Sequence, residues 1–126
     1  MSHKWTNATY MMMESGPAGP RKMFVVGISD GTFGLDRRKC YDFGTRRSGY
    51  VVTHLATGCS VRYLACNLKQ AKEAVALLHA ADWNFSDPNE AKNCERRMEA
   101  VRQVNLTGFA INSSEFEPAI EAEPLS

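Results

Sequence analysis

The chain of 126 residues contains no apolar run near the ~18–20 residues that a membrane-crossing helix needs. Its first twenty residues lack the apolar stretch of a secretory signal. These absences predict a protein of the reducing cytoplasm, with no membrane partner. Cysteine is sparse, and Cys40, Cys59, Cys66 and Cys94 form no C-x-x-C pair. Neither a disulfide framework nor a zinc site built from two close ligand pairs is indicated. His54, Cys59 and Cys66 are the set that neighbouring strands would bring together, but nothing local demands a metal, so no metal and no cofactor are expected. A phosphate cradle is missing too. Gly27, Gly31 and Gly34 open a hairpin, whereas a cradle needs a helix N-terminus behind its glycines. Asp42-Phe43-Gly44 has the form of the kinase metal-binding triplet but lacks the companion motifs of that chemistry. No carboxylate pair is placed for acid–base work. His54 has Cys59 as its nearby thiol and no orienting group, so an enzyme is the least favoured class.

What is present is an ordinary globular composition with an uneven distribution of charge. The formal net charge is only +1, yet residues 21–63 carry eight basic and three acidic side chains. Residues 106–126 carry four Glu and no Lys or Arg. A basic half and an acidic end act locally, whatever the total.

The pattern of residues predicts an α+β domain, an antiparallel β-meander of four to five strands followed by two helices packed on one face. Gly16-Pro17-Ala18-Gly19-Pro20 reads as a boundary. It divides an N-terminal extension (1–20) from a single domain (21–110) and an acidic flexible tail (111–126). Met13 and Met23 are alternative translation starts to Met1. Met23–Ile28 is a β-branched and aromatic run, Asp30-Gly31 a hairpin signal, and Thr32–Leu35 and Lys39–Phe43 are short return strands. Gly44 to Gly49 reads as a loop with Arg46 and Arg47 at its tip. Tyr50–Ala56 and Cys59–Cys66 form a final hairpin across Thr57-Gly58. Asn67 with Gln70 makes a capping box, and Ala71, Ala74, Val75, Leu78 and Ala81 recur at helical spacing. Asp87-Pro88-Asn89-Glu90 is a second helix start, with Ala91, Cys94, Met98 and Val101 as its buried line. From Asn112 onward, Ser, Glu and Pro predict a mobile tail that is dispensable for stability.

The candidate site lies in the basic half. Arg37, Arg38 and Lys39 form one cluster, Arg46 and Arg47 a second, and Arg62 stands on a strand; Tyr41, Tyr50 and Tyr63 are interleaved. Arginine with aromatic side chains suits a protein interface, or phosphate contact with base stacking. A meander places the two arginine clusters at opposite ends of a short strand.

Tyr50-Val51-Val52-Thr53-His54-Leu55-Ala56-Thr57-Gly58 and the Asn67-Leu68-Lys69-Gln70-Ala71 helix start resemble small accessory proteins of bacteriophages and prophages. These show a V-T-H-x-x-T-G hairpin followed by an alanine-rich helix, here residues 50–81. The resemblance implies a mobile-element origin and location in the host cytoplasm. It also implies a partner that is a host protein or ribonucleoprotein complex, such as a CRISPR effector complex, which the protein would bind and inhibit. Nucleic-acid binding through the same basic surface is the alternative.

Overall fold

The computed structural model describes residues 4–16, 18–42, 44–87, 89 and 94–118. The described residues form an antiparallel five-stranded meander followed by two α-helices, with each strand paired to its neighbour in sequence. The strands are β1 (Thr6–Gly16), β2 (Gly19–Ser29), β3 (Phe33–Asp42), β4 (Thr45–His54) and β5 (Ser60–Leu64). The helices are α1 (Leu68–Leu78) and α2 (Glu95–Leu106).

β2 and β4 begin earlier than the sequence pattern predicts and β2, β3 and β4 are longer, while β5 is shorter than the predicted Cys59–Cys66 strand. The Gly16–Pro20 run is the closure of a hairpin, not a boundary. Gly16 stands opposite Gly19, which has φ 103°, and β1 pairs with β2 from Thr6↔Ser29 onward. The expected extension is therefore a full strand. Tyr10 and Met12 alternate inward opposite Met23 and Val25, and all four are buried. Likewise β3 is continuous through both predicted short strands, and β4 begins within the predicted loop. Phe43, expected on the third strand, lies outside the described residues.

Although β1–β2 and β3–β4 are long ladders, β2 and β3 pair only at Ile28↔Leu35 and Ser29↔Gly34. A β-carbon at Gly27 would overlap the carbonyl oxygen of Leu35, and one at Gly34 would overlap the Tyr10 ring. Two positions without side chains let backbone and aromatic ring approach at this crossing. The β1–β2 hairpin then leaves the sheet and folds over one face of β3–β4–β5. Its other end is fixed by the Met13 amide, which donates to the Gly58 carbonyl at 2.7 Å.

Two cores result, one on each face of the central strands. Val51 and Val52 are adjacent in β4 and point to opposite faces. Val52 joins Phe33, Leu35 and Leu64 under Ala71, Val75 and Leu78 of α1 and Ala100 and Val104 of α2. Val51 joins Cys40, Tyr10, Met12, Met23 and Val25 beneath the hairpin. The Asn67–Gln70 capping box is present in both directions. For α2, residues 88 and 90–93 of the predicted start lie outside the described residues, and the helix runs from Glu95. Its buried line also differs from the expected one: Ala100 and Val104 face inward, while Met98 is 61% exposed. Small Ala100 packs close to alanine-rich α1, which turns the bulkier Met98 outward.

The C-terminal segment is a strap. Ala65 donates its amide to Phe109 and Ile111 donates to Tyr63, so residues 109–111 extend β5's outer edge. After a 3-10 turn at Ser113–Glu115, Phe116 packs over Gly49, edge-on to Tyr63 at 5.2 Å, and Glu117 donates its amide to the Lys39 carbonyl. The strap thus reaches β3's edge where β2 has departed. The expected mobile tail is corrected for residues 113–118, because one aromatic among Ser and Glu is enough to dock them. Burial of Phe116 predicts that Phe116→Ala costs about 3 kcal/mol and roughly ten degrees of Tm. Truncation after Asn112 is expected to cost at least as much. An unchanged calorimetric melting curve in both variants would show that the strap contributes nothing.

Candidate binding surface

Strand alternation divides the predicted basic set between two faces. Across the β3–β4 ladder Arg37 faces Tyr50, Lys39 faces Ser48 and Tyr41 faces Arg46. Directly opposed residues point the same way, so Arg37, Lys39, Tyr41, Arg46 and Tyr50 share one face. This face continues the helix-bearing side of the sheet beyond the end of the helices. Arg37, Lys39, Tyr41 and Arg46 are exposed and Tyr50 is half-buried at the margin of the core. Arg37 donates to the Ser48 hydroxyl at 2.9 Å, and Arg46 meets the Glu117 carboxylate at 3.0 Å. Arg62 lies on the same side but is tied to α2, donating to Asn105 Oδ1 at 2.6 Å. The two arginine clusters are therefore not at opposite ends of a short strand. Arg46 is the cross-strand neighbour of Tyr41, about 13 Å along the ladder from Arg37.

Arg38, Arg47 and Tyr63 belong to the other face. Tyr63 packs against Phe116, and Arg47, although exposed, stands opposite buried Cys40. Arg38 is 7% exposed and is no docking residue. Its Nε donates to Asp36 at 2.6 Å, Nη1 to Glu14 at 3.4 Å and Nη2 to the Met12 sulfur at 2.9 Å. It clamps the β1–β2 hairpin to β3. Burial pushes the Asp36 carboxyl up against the pull of Arg38, and burial with the Asp36 charge pushes up the Tyr10 phenol. Three consecutive basic residues on a strand cannot share a face, so the Arg37–Lys39 run is divided between the two sides.

The histidines anchor elements on the helix side. His54 is buried, with Nε2 2.8 Å from the Trp83 carbonyl and Nδ1 2.9 Å from the Thr57 hydroxyl. The Trp83 carbonyl can only accept, so Nε2 carries a proton, and in the neutral ring Nδ1 then accepts from the Thr57 hydroxyl. His79, the C-cap of α1, meets Asp30 Oδ2 at 2.7 Å, while Asp30 Oδ1 accepts from the amides of Thr32 and Phe33. This pair ties α1 to the β2–β3 turn. The cleft beside this pair is lined by Thr32, His54, Asp82 and Trp83. Of the sulfur ligands considered for zinc, Cys66 is buried in the helix-side core, where burial pushes its thiol up to about 11. Among the described residues, no group of three or more His, Cys, Asp or Glu is gathered to hold a metal ion. No helix among them is long and apolar enough to cross a membrane. No family model, curated protein or solved structure matches this chain.

Arg38→Ala leaves Asp36 buried without its guanidinium and is expected to cost about 3–5 kcal/mol, whereas Arg37→Ala changes stability by about 0.5 kcal/mol or less. Equal denaturation midpoints for the two variants would refute the assignment of faces. Desolvation, aided by the Arg97 charge, lowers the His54 pKa in the fold despite the Trp83 hydrogen bond. The unfolded chain then binds this proton more readily. The His54 contribution is intact above the ordinary histidine value of about 6.5 and is lost as pH falls from there through the lowered folded value. Tm of the wild type is expected to fall over that interval, with a shallower slope in His54→Gln; identical slopes would count against it.

Proposed function

We propose that the protein is a binding module whose basic, tyrosine-bearing β3–β4 face docks on an acidic surface of a protein partner. The observation that carries this reading is the ladder register. It sets Arg37, Lys39, Tyr41, Arg46 and Tyr50 on one strand-pair face, while the opposite face is occupied by the hairpin and the strap. Tyrosine and arginine are the side chains that most often anchor interfaces. A protein carboxylate, that of Glu117, already engages this face at Arg46, which favours acidic protein over phosphate as the natural counterpart. With the resemblance of residues 50–81 to phage accessory proteins, the partner class is a host protein or ribonucleoprotein complex that docking would inhibit. Nucleic acid is the second reading, since the same cations would contact phosphates and the same tyrosines would stack on bases.

The test is capture from nuclease-treated bacterial lysate by wild type, Arg37→Glu/Arg46→Glu and the control Arg21→Glu. The double variant is expected to keep its Tm and lose the specifically captured protein, each arginine contributing about 2 kcal/mol or more as an interface anchor. Arg21→Glu is expected to retain it. Equal capture by the double variant would remove this face from consideration. Binding of labelled oligonucleotide that declines steeply between about 50 and 200 mM salt, together with capture that nuclease abolishes, would favour the second reading.

A further inference from the structure

A cavity lies on the helix side, away from the β3–β4 face. β4 and β5 pair as Val52↔Arg62 and then Thr53↔Ser60, which leaves Val61 as an extra residue. Such a bulge re-aims side chains, and Val61 here turns toward the helix-side core. Beyond it opens a cavity of about 380 Å³ between the β4–β5 turn, the Trp83–Phe85 segment and α2. That volume is within the range of small-molecule pockets, toward its lower end.

Its walls are built and held. Trp83 donates its indole N–H to the Leu78 carbonyl at 2.6 Å, and the His54 ring lies 4.5 Å from Phe85, tilted 34°. Arg97 lies over the Phe85 ring at 4.2 Å and donates to the Asp82 carbonyl at 3.3 Å. Among the described residues the lining includes Arg97 and no carboxylate side chain. His54 adds no charge in its neutral tautomer. Met98, which also borders the cavity, remains 61% exposed on a helix whose other exposed positions are mostly polar. An aromatic-walled cavity with an exposed apolar side chain and positive charge selects a flat apolar body carrying negative charge.

We propose that the cavity bounded by Val61, Trp83, Phe85, Arg97, Met98 and Val101 is a binding site for a small flat aromatic anion, such as an aryl carboxylate or sulfonate.

Two probes that share a ring system separate shape from charge: 8-anilino-1-naphthalenesulfonate, an anion, and N-phenyl-1-naphthylamine, which is neutral. Trp5 and Trp83 are the two tryptophans. In a Trp5→Phe background, emission of either bound probe excited through tryptophan therefore reports proximity to Trp83. Both probes are expected to saturate a single site, the anion more tightly. Met98→Glu places a carboxylate at an exposed position and leaves the fold intact. It is expected to weaken the anion about tenfold, the size of one partly screened like-charge contact, and to affect the neutral probe much less. Val101→Trp fills the cavity and is expected to abolish both. Cys59 borders the cavity and is half-buried, whereas Cys94, whose thiol pKa the α2 amides of Arg97 and Arg96 lower, is not part of the lining. Saturating neutral probe is expected to slow maleimide labelling of Cys59, mapped by mass spectrometry, and to leave Cys94 labelling unchanged. Absence of saturable binding, undiminished anion binding in folded Met98→Glu, or an unchanged Cys59 rate would overturn the site. Equal affinity for both probes would overturn its anion preference. None of these readouts depends on the β3–β4 face.

Discussion

The crossing of β2 over β3 is the constraint on which the remainder of the molecule depends. Gly27 and Gly34 lack the side chains that would keep the Leu35 carbonyl and the Tyr10 ring at a distance. The ladder between these strands therefore ends after two pairs, and the β1–β2 hairpin is free to fold across the sheet. A flat continuation of the meander would leave Tyr10, Met12, Met23 and Val25 on a solvated face. Folding them over Cys40 and Val51 buries that apolar area, each large side chain contributing roughly 1.5–3 kcal/mol. The departure of β2 also leaves β3's edge open near Cys40, and Phe116 and Glu117 occupy it. One local close approach thus creates the second core and the seat of the strap.

The same geometry decides which positive charges meet solvent. On β3 the alternation of side chains sends Arg37, Lys39 and Tyr41 to one side and Asp36, Arg38 and Cys40 to the other. Once the hairpin covers the second side, Arg38 needs buried partners, and Asp36 and Glu14 supply carboxylates from two elements. The Asp36 pair lies within β3 and holds the guanidinium in place, while the Glu14 carboxylate at 3.4 Å and the Met12 sulfur at 2.9 Å are the contacts through which Arg38 aligns β1 against β3. Arg38 therefore serves the fold, and its neighbours Arg37 and Lys39 are left exposed on the other face.

The local signals in the sequence are clear where they depend on neighbouring residues alone. The Asn67–Gln70 cap, the alanine stripe of α1, the β4–β5 hairpin and the order of strands before helices follow from spacing and turn chemistry. What depended on tertiary contact was misplaced. The alternation of Tyr10 and Met12 is visible, but the Gly16–Pro20 run reads equally as linker or turn until the partner strand is known. Phe116 is one aromatic in an acidic, serine-containing stretch, and its docking depends on Gly49 and Tyr63, more than fifty residues earlier. The basic and tyrosine residues of the candidate surface were legible as residue types. Their sorting into Arg37, Lys39, Tyr41, Arg46 and Tyr50 on one face, and Arg38, Arg47 and Tyr63 on the other, required the β3–β4 register. The cavity depended on more distant placement still, because a bulge at Val61 and an outward Met98 are products of packing.

The strap links the acidic end of the chain to its basic face through two contacts of unequal strength. Phe116 is 9% exposed and packs in the second core, so it supplies the anchoring energy of the segment. The Arg46–Glu117 pair is another matter. The two side chains are 58% and 41% exposed, and an ion pair in that setting is worth about 0–1 kcal/mol. Glu117 therefore fixes Arg46 in place without holding it strongly. A partner carboxylate that displaced Glu117 would forfeit little, while Phe116 would keep the strap docked on the far face. The same inequality separates structure from recognition along the strap: its position is set by an aromatic ring facing the core, and its exposed charge remains exchangeable. In the proposed binding reading, Glu117 occupies Arg46 until an acidic partner arrives, and exchanging one carboxylate for another requires no rearrangement of the fold.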